Sequence, residues 1–213
     1  MRAFNFNIND LIYRLPAIVL ALTVHEFAHG RVAYAFGDPT AKNAGRLTLN
    51  PLAHLDAVGT LMLVFFGFGW AKPVPVNSYY FYGNRRQKMM WVAGAGPLSN
   101  LMQALVVSIL LSLLLHFVFW GNSPFIWWLA NFLDYFIFIN IVLAVFNLLP
   151  VPPLDGSKIL AGLLPTENMN IILTLERYGF IILIAMMFLG LTSKIISPII
   201  NVLYNGLMSL VSL

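Results

Sequence analysis

The sequence contains no cysteine. This absence excludes disulfides and thiolate metal ligands, and it leaves histidine and carboxylate side chains as the strong zinc ligands available. Charge is also scarce, since only 9% of the 213 residues are charged while 60% are hydrophobic. Soluble domains are nearer half apolar, so the composition predicts a protein that is embedded in lipid.

The formal net charge of +4 indicates how the chain is oriented in the membrane and does not imply nucleic-acid binding. Lys and Arg concentrate in the loops of membrane proteins that stay in the cytoplasm. Chains of this length usually form one domain. We therefore expect a single membrane-embedded domain over residues 1–213, with a core at about 9–164, C-terminal helices at about 165–213 and no appended soluble domain.

The apolar runs predict an all-α polytopic membrane protein with about five or six transmembrane helices. Five long runs lie at residues 9–36, 89–120, 125–148, 170–192 and 195–213. Asn9 or Asp10 is the expected cap of the first helix. A further run at 58–69, VGTLMLVFFGFG, is shorter than the ~20 residues that a crossing needs, so we expect it to enter the membrane and return.

Basic residues support this re-entrant interpretation because they stand on both sides of the short run: Lys42, Arg46, Lys72, Arg85, Arg86 and Lys88. The positive-inside rule places both groups in the cytoplasm, which re-entry satisfies and a crossing does not. The same rule places the N-terminus outside. We expect a multi-pass protein of a bacterial or archaeal inner membrane.

Residues 70–83, WAKPVPVNSYYFYG, are rich in proline and aromatic residues and alternate in polarity. This pattern predicts a short membrane-associated β-hairpin or edge strand rather than a helix. Such backbone is tolerated at membrane depth only where protein or a watery cavity surrounds it.

Residues 25–29 spell HEFAH, an H-E-x-x-H motif. On a helix this spacing places His25 and His29 on one face, one turn apart, where they can share a zinc ion. Glu26 can then take a proton from the attacking water. The alternative is a chance pentapeptide, but two histidines and a glutamate in an apolar helix are costly without a partner.

A catalytic zinc needs a third protein ligand and an open position. The motif with a third histidine is absent, because Val32 and Ala35 stand where it requires glycine and histidine. Asp38 and Asp56 flank turn signals and are more simply explained as cap or turn residues. Asp155 follows a descending apolar helix on the same side of the membrane as HEFAH, and we expect it to be the third ligand.

Five ordered elements together resemble the site-2 protease family of intramembrane zinc metalloproteases, in its compact prokaryotic type: HEFAH at 25–29, NPLAHLDAVGT at 50–60, GWAKPVPVN at 69–77, AGPLSN at 95–100 and NLLPVPPLDG at 147–156. The resemblance implies one zinc ion held by His25, His29 and Asp155, with Glu26 as the base. It also implies a metalloendopeptidase that hydrolyses membrane-anchored protein substrates in regulated intramembrane proteolysis.

Asn100, His54 and Asn147 are weaker candidates for contacts with the substrate or the transition state. Each has a structural alternative that the sequence leaves open: a helix-to-helix hydrogen bond for Asn100, an interfacial histidine for His54 and a helix-ending cap for Asn147.

The competing function is a membrane transporter or channel with a structural metal site. The expected re-entrant segment would suit it, but HEFAH and LDG have no counterparts in the other half of the chain, so no inverted repeat is present. The expected partners are membrane-anchored substrates, lipid and regulatory membrane proteins, without nucleic acid.

Overall fold

The computed structural model describes residues 11–66, 69–117 and 123–211. The regular structure within these ranges is helical: α1 (Leu11–Ala35), α2 (Thr40–Asn43), α3 (Ala57–Phe66), α4 (Arg85–Phe117), α5 (Pro124–Asn147), α6 (Asp155–Leu163), α7 (Met169–Phe188) and α8 (Leu191–Val211). The predicted cap of the first helix, Asn9 or Asp10, lies outside the described residues. The all-helical class is confirmed.

Four of the described helices, α4, α5, α7 and α8, have the length and apolar character that a bilayer crossing requires. The chain is therefore a multi-pass membrane protein. The predicted boundaries of α5, α7 and α8 agree with the structure to within a few residues. Helix α1 has 25 residues, which is long enough to span, but it also carries the polar HEFAH motif. The count of five or six spans therefore stays a prediction.

Helix α4 lies at the centre of the fold and packs against α1, α5, α6 and α8. Its buried face carries several small residues, including Ala93, Gly96, Ala104 and Ser108. Small side chains allow helices to approach closely in a membrane, where packing rather than hydrophobic burial drives association. This close approach brings α1 and α6, which carry the predicted metal ligands, together on one side of α4.

The residues before and after α3 lie close together in the fold. The N–H of Lys72 donates to the carbonyl of His54 at 2.9 Å, and Leu55 and Ala71 form an antiparallel bridge. A Cβ atom on Gly59 would lie 2.2 Å from the carbonyl oxygen of Trp70, so the returning chain packs directly on α3. These contacts favour re-entry over crossing, although residues 67–68 of the predicted segment lie outside the described ranges.

The predicted β-hairpin or edge strand is not confirmed, since the bridge between Leu55 and Ala71 is the β-pairing found among the residues described. Residues 72–77, which we call the strap, form a single irregular segment. Pro73 and Pro75 have no N–H to donate to a ladder, which prevents regular pairing.

Polar contacts tie both ends of the strap to the protein. Arg46 donates to the carbonyl of Lys72 at 2.6 Å. The N–H of Asn77 donates to the carboxylate of Asp38 at 2.7 Å. Asp38 is fully buried and also accepts from the N–H of Thr40 at 2.9 Å. It therefore acts as a turn residue, as its sequence context indicates, and it also anchors the strap.

Helix α6 was not predicted. The prolines after Asn147 end α5, and the chain reverses so that α6 begins at Asp155. A Cβ atom on Gly156 would lie 2.3 Å from the carbonyl oxygens of Leu148 and Leu149. Only glycine permits this contact, which holds the start of α6 against the end of α5 and directs Asp155 toward α1.

Re-entry can be tested by cysteine labelling, because residues 1–213 contain no cysteine. We expect Leu52→Cys and Tyr79→Cys, both at exposed positions, to react with a membrane-impermeant maleimide from the same side of sealed vesicles. Ser123→Cys is the control and should react from the opposite side, because α4 crosses between them. Labelling of Leu52→Cys and Tyr79→Cys from opposite sides would show that residues 58–69 cross the membrane.

Candidate metal centre

Helix α1 and the start of α6 bring three ligand atoms to one buried point. The Nε2 atoms of His25 and His29 lie 3.0 Å apart. An Oδ2 atom of Asp155 lies 3.1 Å from the first and 3.2 Å from the second. The three residues are buried and form a group that could hold a metal ion. The structure thus brings together all three of the ligands that the sequence predicts.

The other ring nitrogens show why this group suits a cation. Nδ1 of His29 lies 2.7 Å from the carbonyl oxygen of Val92, which only accepts, so this Nδ1 carries the hydrogen. Nδ1 of His25 lies 2.6 Å from Oδ1 of Asn100. This oxygen also accepts, so Nδ1 of His25 carries a hydrogen as well. Each neutral ring then directs an Nε2 lone pair at the other and at a carboxylate oxygen, an arrangement that repels unless a cation lies between them.

The spacing of these atoms also fits zinc. Ligands at about 2.0–2.2 Å from a tetrahedral ion lie about 3.3–3.6 Å from one another, a few tenths of an ångström more than the separations found here. A histidine that binds a metal usually donates its other ring N–H to an oxygen acceptor such as a backbone carbonyl, as both rings do here. Two imidazoles and one carboxylate leave a fourth position open, which a catalytic site requires.

Gly96 of α4 forms one wall of the site. A Cβ atom at this position would lie 2.5 Å from Nε2 of His29 and 2.6 Å from Nε2 of His25. Any side chain here would occupy the space in which the ligand atoms converge. The glycine is therefore required by the close approach of α4 to the two imidazoles.

The Asp155 carboxyl belongs to the short helix α6. Its Oδ2 atom contacts Nε2 of both histidines. A carboxyl must be ionised to bind a metal ion, and a cation at this point stabilises the ionised form beside the two Nε2 lone pairs.

Glu26 lies beside the ligands and contacts the strap. Its Oε2 atom accepts a hydrogen bond of 2.8 Å from the N–H of Val74. Val74 is buried, and its Cγ1 atom lies 3.2 Å from the position of a Cβ atom on Gly30. The strap therefore packs against the motif helix and holds one oxygen of the predicted base.

The weaker candidates occupy different places. Asn100 reaches the metal centre, where it bonds to His25. The ring of His54 is buried, and its Nε2 donates to the carbonyl of Thr48 at 2.8 Å. Asn147 donates to the carbonyl of Leu143 at 3.0 Å, within its own helix. The predicted substrate roles of all three stay predictions.

Three groups at the site were not predicted from the sequence: the carbonyl of Val92, the N–H of Val74 and the side chain of Asn140. The first two are backbone groups, which no side-chain motif reveals. Asn140 did have a signal, because an amide inside a long apolar run needs a hydrogen-bonding partner.

Residues 13–190 match the family model of peptidase family M50. The chain belongs to this family, the site-2 proteases. YwhC of Bacillus subtilis is 40% identical over 200 residues, which make up 94% of this chain and 91% of YwhC. MJ0611 of Methanocaldococcus jannaschii is 32% identical over 156 residues, or 73% of each chain. Rip2 of Mycolicibacterium smegmatis is 30% identical, covering 79% of this chain and 64% of its own.

The names of these three relatives provisionally describe them as zinc metalloproteases. No solved structure matches the chain. Family membership and the ligand group agree on the chemistry, so this M50 protein is a zinc metalloendopeptidase. The resemblance inferred from its five ordered elements is confirmed.

The wall formed by Gly96 gives a test of the metal centre. We expect Gly96→Ala to abolish zinc binding, because its methyl group would overlap the ligand atoms. Gly94→Ala is the matched control on the same helix, where an added Cβ atom meets nothing within 4 Å. Metal analysis of the purified proteins should find zinc in the wild type and in Gly94→Ala. Stoichiometric zinc in Gly96→Ala would contradict the placement of the ion between α1 and α4.

Proposed function

We propose that this peptidase cleaves membrane-anchored proteins within or close to the bilayer, with His25, His29 and Asp155 as its zinc ligands and Glu26 as its base. The observation that carries the proposal is the convergence of three ligand atoms on one buried point between helices of a multi-pass protein. A site in this position is reached by segments that are themselves in the membrane. Regulated intramembrane proteolysis is the process that such an activity serves.

The chemistry divides between the metal and one carboxylate. Held by His25, His29 and Asp155, a zinc ion would supply Lewis acidity that lowers the pKa of a water molecule and polarises the scissile carbonyl. Glu26 accepts the proton from the attacking water and returns it to the departing amine. Its second oxygen is available for this transfer while the first accepts from Val74.

The proposed topology follows from the charge pattern. Helix α1 is a fifth span, the α3 segment is re-entrant, and the basic loops on either side of it face the cytoplasm. The N-terminus is then outside and the zinc lies toward the cytoplasmic side of an inner membrane. Residues 1–213 act as one metalloprotease domain, with a core at about 9–164 and C-terminal helices at about 165–213.

The strap is the proposed docking edge for the substrate. A helical peptide must unwind before it can be cut, because its carbonyls are engaged in hydrogen bonds, and an exposed strand edge can hold the extended form. Among the described residues the N–H of Val76 has no hydrogen-bonding partner, so it is the donor that we propose for pairing with the substrate.

A transporter or channel was the competing interpretation of the sequence. The re-entrant segment is compatible with it, but the family and the base beside the ligand group favour a peptidase. Membrane-anchored proteins and lipid are the proposed partners, together with regulatory membrane proteins.

Replacing the base gives the most direct test of the reaction. We expect Glu26→Gln to retain zinc and to lose cleavage of a single-span reporter protein by at least about 100-fold, because an amide cannot accept the proton. The assay compares wild type and variant in detergent or liposomes, with zinc measured in both. Unchanged cleavage by Glu26→Gln would overturn the assignment of the base, and a wild type without zinc would overturn the metal site.

Docking at the strap is tested at Val76. We expect Val76→Pro to lower kcat/KM by about tenfold relative to Val76→Ala, because proline removes the free N–H that alanine keeps, while both variants lose the isopropyl group of Val76. The readout is initial-rate cleavage of the same reporter, with zinc content as the check on the metal site. Equal kcat/KM values for the two variants would show that the substrate does not pair with this edge.

A further inference from the structure

A chain of hydrogen bonds runs from the metal centre into the apolar interior. Oδ1 of Asn100 contacts Nδ1 of His25 at 2.6 Å. Nδ2 of Asn100 donates to Oδ1 of Asn140 at 2.8 Å, and Nδ2 of Asn140 donates to the carbonyl of Phe136 at 2.9 Å. Both asparagines are 0% exposed. These hydrogen bonds connect α1, α4 and α5.

The hydrogen bond to Phe136, at the far end of this series, determines which group of each asparagine donates and which accepts. The carbonyl of Phe136 can only accept, so Asn140 must present its NH₂ group there and its oxygen to Asn100. Asn100 must then present its NH₂ group to Asn140 and its oxygen to His25. A second contact favours the same orientation, since Nδ2 of Asn100 also lies 3.3 Å from the carbonyl oxygen of Ala21.

We propose that Asn140 and Asn100 are positioning residues that select the metal-binding tautomer of His25. With the oxygen of Asn100 facing it, Nδ1 carries the hydrogen and Nε2 keeps the lone pair that a metal ion needs. A flipped Asn100 amide would present NH₂ to Nδ1 and move the hydrogen to Nε2. Asn140 prevents this flip, although it does not contact the ligand.

The amide of Asn100 has no hydrogen left for a substrate. One is directed at Asn140 and the other at Ala21, while the oxygen accepts from His25. A contact with the transition state would require one of these buried bonds to break. The geometry therefore favours the positioning role over the substrate role that the sequence suggested for Asn100.

The test measures zinc affinity by competition with a chelator. We expect Asn140→Leu to weaken zinc binding by about 10-fold to 100-fold, the range typical of changes to groups that orient metal ligands. Asn140→Ala removes the same acceptor without adding volume and should act in the same direction. Ser108→Ala is the control, because Ser108 is a fully buried polar residue of α4 that takes no part in this series of hydrogen bonds.

A second substitution distinguishes tautomer selection from packing. Aspartate at position 100 has two equivalent oxygens and cannot present a donor to His25 in its ionised form. We therefore expect the double variant Asn100→Asp with Asn140→Leu to bind zinc nearly as tightly as Asn100→Asp alone. Wild-type affinity in Asn140→Leu and Asn140→Ala, or a loss that Asn100→Asp does not rescue, would overturn the proposal.

The tautomer can also be observed without any substitution. Nitrogen-15 NMR of the histidine-labelled, metal-free wild type separates protonated from unprotonated ring nitrogens. We expect the hydrogen of neutral His25 on Nδ1. A hydrogen on Nε2 with none on Nδ1 would overturn the proposal even if the Asn140 variants fail to fold.

Discussion

The constraint on which this structure depends is the convergence of three electron-rich atoms inside an apolar protein. The Nε2 atoms of His25 and His29 and one oxygen of Asp155 lie about as far apart as the ligands of one tetrahedral ion. Two helices supply these atoms, and a third leaves room for them through Gly96. Packing of α4 against α1 and α6 is thus inseparable from the metal centre.

A second constraint links Glu26, the proposed base, to the irregular part of the chain. The strap is held at Lys72, at Val74 and at Asn77, and its central contact is with Glu26. A peptide that paired with the strap would therefore lie beside both the base and the metal ligands. Segments without regular secondary structure can lie at membrane depth when protein surrounds them, and here one such segment places the N–H of Val74 against Glu26.

Local patterns predicted the parts of the molecule that depend on local structure. The four-residue spacing of HEFAH required only a helix, and the apolar runs located α5, α7 and α8 to within a few residues. The missed features depend on contacts between distant parts of the chain. The prolines after Asn147 predicted the end of α5 but not the reversal of the chain into α6. The two prolines of the strap have no N–H, which a regular strand would have needed for pairing.

The central claim is that one zinc ion is bound by both histidines of the motif and by the aspartate of α6. Anomalous diffraction from crystals of the purified protein, collected on both sides of the zinc absorption edge, tests it most directly. The account predicts one peak per chain, at about 2.0–2.2 Å from Nε2 of His25, Nε2 of His29 and a carboxylate oxygen of Asp155. A zinc peak that is bound elsewhere, or that lacks Asp155 among its ligands, would contradict it.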